Sequence, residues 1–234
     1  MAITQFQLAR LELRRGRYRT AEQWARKALA IEDRLSPKDR PERAYAYNLL
    51  GVVLGRQGRY LESGRAYGVA LSMFERTLGP EHPEVANAHN NLAVTASRVG
   101  DYPAAVAGYE QALKIRERVL PPDHPSLGDS HSNLCGAYAS QREFKEAKRA
   151  CQRALEIFDA GGSAHSTAVS WPHYYVGTIL AAQNQPAKAG DAFARALAIL
   201  DAAPDANPRQ RARMLAHLAA SQLETREPRS AIEH

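Results

Sequence analysis

The sequence predicts an all-α fold, a solenoid of antiparallel helix hairpins. Two observations carry that prediction: motifs recur at a fixed spacing of 42 residues, and helix-favouring residues dominate the whole chain. Gly16-Arg17-Tyr18 returns as Gly58-Arg59-Tyr60, Gly100-Asp101-Tyr102 and Arg142-Glu143-Phe144, then decays to Asn184-Gln185-Pro186 and Arg226-Glu227-Pro228. A second series keeps the same step through Ala28-Leu29, Ala70-Leu71, Ala112-Leu113, Ala154-Leu155 and Ala196-Leu197. Alanine and leucine are abundant and aromatics make up only 7% of the chain, so almost no strand is expected.

Each unit reads as a helix A of about 14 residues, a short turn at the Gly/Tyr column, a helix B of about 16 residues and a Pro- or Gly-containing link. The links are Ser36-Pro37, Gly79-Pro80, Pro121-Pro122, Gly161-Gly162 and Ala203-Pro204. The repeats then run 2–43, 44–85, 86–127, 128–169 and 170–211, with a partial sixth over 212–234, and together form one solenoid domain. Small residues on helix A, Ala9, Gly51, Ala93, Gly177 and Ala219, let helix B approach closely. Leu8, Leu50, Leu92, Leu134, Val176 and Leu218 fill the space beside them, with Tyr67, Tyr109 and Phe193 from helix B. One hairpin cannot bury these faces alone, so stability must come from stacking of neighbours. Only four residues follow Ser230, and the first helix A starts almost at Met1 without a cap. Solenoids shield their terminal faces, so the ends point to a fragment of a longer chain or to end-to-end pairing.

Composition narrows the function classes. The chain has 234 residues, 44% hydrophobic and 24% charged, enough to bury a core. No apolar stretch has the length of a signal peptide or of a membrane span, so no membrane is expected and the cytoplasm is the expected compartment. Cys135 and Cys151 are too few for a disulfide framework or a cysteine zinc site. Both fall on packing columns, where buried cysteine acts as a small hydrophobe, and a redox pair would need its sulfurs within bonding reach. Net charge is +6, yet residues 1–60 hold 13 Lys+Arg against 6 Asp+Glu, a local +7 that suggests an acidic partner.

The stretch LGPEHPEVANAHNNLAVTASRVGDYPAAVAGYEQALKIRERVL, residues 78–120, closely resembles the tetratricopeptide repeat of kinesin light chains. Its distinctive pieces are His82-Pro83, Asn90-Asn91-Leu92-Ala93, Gly100-Asp101-Tyr102 and Gln111-Ala112-Leu113; the next repeat keeps His124-Pro125, Asn133-Leu134 and Arg153-Ala154-Leu155. The resemblance weakens after about residue 160. It implies a right-handed superhelix whose A helices line the concave side.

Helix faces are read at steps of three and four residues. On the expected concave stripe, Arg14, Arg56 and Arg98 recur at the repeat spacing, with Arg10 one turn before the first, and asparagines sit at Asn48, Asn87, Asn90, Asn91 and Asn133. Asparagine offers a donor and an acceptor to an extended backbone, and arginine clamps carboxylates in a bidentate fork. The expected ligand is an extended acidic peptide or partner segment. In related kinesin light chain grooves such residues receive peptides with acidic residues beside an aromatic one. The bland alternative is that the asparagines tie neighbouring helices and the arginines form a solvated face. Trp171, with Tyr175 one turn on, starts a later helix A beside His173 and Tyr174; the cluster suits an anchor pocket or core packing equally.

Catalytic signatures are absent: no glycine-rich phosphate loop, no nucleophile elbow, no isolated carboxylate pair. His82 and His89, like His124 and His131, lie two helical turns apart, but the repeat itself explains them and no metal or cofactor is expected. The sequence therefore predicts a non-enzymatic protein-interaction scaffold. Its rivals are a self-assembling module that stacks terminal hairpins into homo-oligomers and a nucleic-acid binder using the basic N-terminal region. Nucleic acid is disfavoured because Tyr45 and Trp171 do not repeat as stacking residues would.

Overall fold

The computed structural model describes residues 2–35, 40–162, 166–203 and 207–226. Met1, Ser36, Pro37, Pro204, Glu227, Pro228, Ser230 and Ala231 of the sequence reading lie outside the described residues. The described residues form two compact units that divide after Val119.

In the first unit, α1 (Ala2–Arg14) and α2 (Tyr18–Leu35), α3 (Pro41–Arg56) and α4 (Tyr60–Leu78), and α5 (Pro83–Val99) and α6 (Tyr102–Val119) pack as antiparallel hairpins. Between hairpins, α2 packs on α3 and α4 on α5. The second unit pairs α7 (Pro125–Ser140) with α8 (Phe144–Ala160) and α9 (Ser170–Ala182) with α10 (Pro186–Asp201), and α11 (Pro208–Arg226) packs on α10. The regular structure of the described residues is helical throughout, as the 42-residue repeat predicts.

The turn column has one cause in every repeat. Gly16, Gly58 and Gly100 adopt φ of 73°, 80° and 86°, and Arg142 and Asn184 take the same left-handed conformation at 63° and 57°. The amide after each turns back onto the helix: Arg59 N–H donates to the Leu54 carbonyl at 3.0 Å, Asp101 to Ala96 at 2.9 Å and Glu143 to Tyr138 at 3.0 Å. This is a Schellman stop, satisfying carbonyls that the helix end would orphan. At the other end, the His82 and His124 imidazoles accept from the amides of Glu84 and Ser126 at 3.2 Å, with proline at the first helical position of α5 and α7. The His-Pro motif is thus a helix start.

Helix A and helix B approach closely at a recurring column pair. A Cβ on Gly51 would lie 2.7 Å from the Tyr67 ring, and one on Gly177 2.6 Å from the Phe193 ring. These glycines are there because an aromatic lies flat on the backbone. The fourth hairpin fills the same pair with Cys135 and Cys151, which form a disulfide with their Cα atoms 5.1 Å apart. The expectation of two separate buried thiols is therefore corrected. The two columns face each other in the second, fourth and fifth hairpins, so cysteines placed in both are brought together, and both are fully buried.

A further column follows the helix B core. Phe74 and Phe158 are fully buried, as is Leu200 at the same position of α10. Each such side chain contributes roughly 1.5–3 kcal/mol by leaving water. In the first repeat this position is Glu32.

Candidate functional site

The A helices of the first unit are polarised along their length. Glu42 and Glu84 lie in the first turns of α3 and α5, and Arg14, Arg56 and Arg98 in the last turns of α1, α3 and α5. Charges so placed complement the helix macrodipole, which alone is worth about 0.3–1 kcal/mol each. That accounts for the sign of the arginines, but not for their being left unpaired. All three are exposed, and among the described residues no carboxylate holds any of them. Their neighbours behave differently: Arg59 pairs with Glu22 at 2.8 Å, and Arg43 with Asp33 at 2.7 Å.

The Arg56 and Arg98 charges occupy equivalent surroundings. Burial pushes the Tyr67 phenol up to about 12, with a Ser63 hydrogen bond and then Arg56 opposing. Burial likewise raises Tyr109, opposed by a Ser97 hydrogen bond and then by Arg98. Each guanidinium therefore acts electrostatically on the aromatic that its own hairpin's helix B contributes. The ladder ends with the first unit, since Ser140 and Ala182 hold the corresponding positions in α7 and α9.

The asparagines are largely engaged. Asn91 donates to Asn48 at 3.1 Å, tying α5 to α3 across a repeat. Asn87 is exposed, accepts from Arg116 at 3.0 Å and donates to Glu84 at 3.4 Å. Asn90 and Asn133 are half-buried and also have partners within the chain. The helix-tying role is thus seen directly at Asn48 and Asn91, each amide keeping further hydrogen-bonding capacity.

Arg10 and Asn48 line a groove of about 500 Å³ in the first unit, together with Phe6 from α1, Ala28 and Glu32 from α2, and Tyr45 from α3. Arg10 stands 6.0 Å over the Phe6 ring. Arg10 and Asn48 are residues that the sequence put on the expected concave stripe; Glu32 was not among those it singled out. The only signal was an acid in the column of Phe74, Phe158 and Leu200, a column that also holds Arg116 in the third repeat.

In the second unit, Tyr175 packs α9 onto α7, where a Cβ on Gly136 would lie 2.5 Å from its ring. Trp171 stacks on Tyr175 at 5.9 Å, and the Arg213 guanidinium lies 5.9 Å from the Trp171 ring. The Tyr174 hydroxyl and His217 Nε2 are 3.1 Å apart, linking α9 to α11. The cluster is built into the packing of three helices, with Trp171 half-buried at its edge. No helix of the described residues is long and apolar enough to cross a membrane.

Comparison with known proteins places these features in context. Models described as tetratricopeptide repeat match residues 7–38, 42–118, 85–160 and 126–202. No curated protein sequence matches. Among solved structures, BtubC (BKLC) from P. vanneervenii is 26% identical with a TM-score of 0.72, covering 86% of this chain and 80% of its own. A kinesin light chain-like protein of nearly identical TPR-like repeats from Podosopora anserina is 21% identical with a TM-score of 0.72, covering 84% and 92%. A Rap protein complexed with Competence and Sporulation Factor is 15% identical with a TM-score of 0.64, covering 97% of this chain and 65% of its own. The latter two likenesses concern the fold alone.

Proposed function

Because the chain belongs to the tetratricopeptide-repeat family, we propose that it is a protein-interaction scaffold whose first unit holds an extended acidic segment of a partner along Arg14, Arg56 and Arg98. The observation that carries this reading is the ladder itself: guanidinium groups one repeat apart, exposed and without a carboxylate among the described residues. A regular row of carboxylates on an extended chain is the complement of such a row of forks. Asn87 and Asn91 lie on the same helix faces and supply backbone contacts that do not depend on side-chain identity. A Rap protein of similar fold was solved complexed with Competence and Sporulation Factor, so the architecture accommodates a partner.

The test is retention of degenerate extended peptides by the purified chain and by an Arg56→Glu, Arg98→Glu double variant, at low and high salt. Acidic sequences should be enriched, and the variant should lose about tenfold or more in affinity for each clamp removed. Equal binding by the variant would reduce the ladder to a solvated face.

A further inference from the structure

We propose that the groove of the first unit is a receptor for a basic side chain, lysine or arginine, of a partner segment, held by the carboxylates of Glu32, Glu42 and Glu84. This site is distinct from the arginine ladder and does not depend on the ligand proposed for it.

The central observation is Glu32. Its position in helix B is filled by the buried Phe74, Phe158 and Leu200 in the second, fourth and fifth repeats, and by the half-buried Arg116 in the third. The side chain is correspondingly buried, only 6% exposed, and its Oε2 accepts no hydrogen bond among the described residues. Arg40 is the nearby cation, but its Nη1 lies 3.6 Å from that oxygen, too far for a hydrogen bond. Arg40 is itself 41% exposed and shared with Glu42, 3.5 Å from its Nε. A carboxylate oxygen withdrawn from water, with a guanidinium nearby but no donor in hydrogen-bond reach, is costly. A donor arriving from outside would relieve that cost.

The surroundings fit such a donor in shape and charge. Where the next hairpin carries the Phe74 ring, the first has a carboxylate beside a groove of about 500 Å³. Phe6, Ala28 and Ala46 give it apolar walls, suited to a methylene stem. Glu42 and Glu84 line it as well. Tyr45 lines it with them, its phenol raised first by burial and then by the Glu84 and Glu42 charges. Against these three carboxylates stand, among the described residues, Arg10 in the lining and Arg40 beside Glu32 and Glu42, which leaves the acids in excess. A positive head on an apolar stem satisfies the buried oxygen, the acidic lining and the apolar walls together.

The experiment uses three pools of seven-residue peptides, degenerate at six positions and fixed at the centre as lysine, norleucine or glutamate. Retention is measured on the full chain, on Glu32→Gln and on Glu32→Phe. The lysine pool should be retained about tenfold better than the norleucine pool, and Glu32→Gln should abolish the difference. Glu32→Phe installs the residue that the second and fourth repeats carry as Phe74 and Phe158; it should lose the lysine pool while raising the thermal midpoint, which separates loss of the site from loss of the fold. The Arg56→Glu, Arg98→Glu variant should keep its lysine preference, so failure of the ladder and failure of this pocket are read independently. Equal retention of lysine and norleucine pools, or a lysine preference that survives either Glu32 variant, overturns the proposal.

Discussion

Reduction of the Cys135–Cys151 bond should destabilise the second unit by about 3 kcal/mol. The bond closes a loop of 16 residues between α7 and α8. In the chain-entropy model a loop of that length removes about 10 cal/mol/K from the unfolded ensemble, or about 3 kcal/mol at 25 °C. One contact works against the loss: the Cys151 sulfur lies 3.3 Å from the Pro172 carbonyl, an acceptor for the thiol once reduced. A thiol is a weak donor, so the net effect should stay between about 2 and 3 kcal/mol. Guanidinium unfolding with and without reductant, followed by helical signal and by thiol counting, reads this directly. A second variant tests the packing logic separately. Cys135→Gly with Cys151→Phe installs the pair seen at Gly177 and Phe193, where the ring lies flat on the glycine backbone. It should be insensitive to reductant and fall within about 1 kcal/mol of the oxidised parent, the residual being the helical glycine. An unchanged midpoint on reduction would refute the bond's contribution. A double variant less stable than the reduced parent would refute the claim that the two columns face each other in the fourth hairpin as they do in the second and fifth.

Two further outcomes follow from the backbone and from the histidines. Arg142 holds a left-handed φ of 63° where three other repeats use glycine, so Arg142→Gly should stabilise the chain by about 1 kcal/mol, and a lower thermal midpoint would contradict the strain. His89, His131, His173 and His217 are all held below the ordinary value of 6.5, first by burial, with Arg153, Arg195 and Arg213 adding to it for the last three and Glu75 opposing it at His89. Below 6.5 the unfolded chain therefore binds more protons than the folded one, so this stability is fully present above 6.5 and is lost as pH falls from there. Thermal midpoints compared at neutral pH and in the window between 6.5 and the carboxylate range should fall on acidification; a flat or rising profile would contradict the burial.

The sequence by itself determined the fold class, because a solenoid's architecture is local. Each hairpin's stops, starts and packing columns lie within one 42-residue period, and Gly58, Gly100 and the His-Pro pairs announce them in the letters. It also placed the arginine ladder, since exposed last-turn positions of successive A helices need only the period to be found. What it left open were relations across a hairpin. Cys135 and Cys151 could each be assigned to a packing column, but that these columns touch is a fact of how α7 lies on α8. The asparagines showed the same gap: the letters allowed ligand contact or helix tying, and only the packing of α3 and α5 brings Asn91 onto Asn48. Glu32 was hidden because a helix face tolerates an acid at nearly any position, and its cost is visible only once neighbouring helices close over it and leave one oxygen without a donor. Period and propensity are properties of the chain, whereas burial and pairing belong to surfaces that exist only after helices meet.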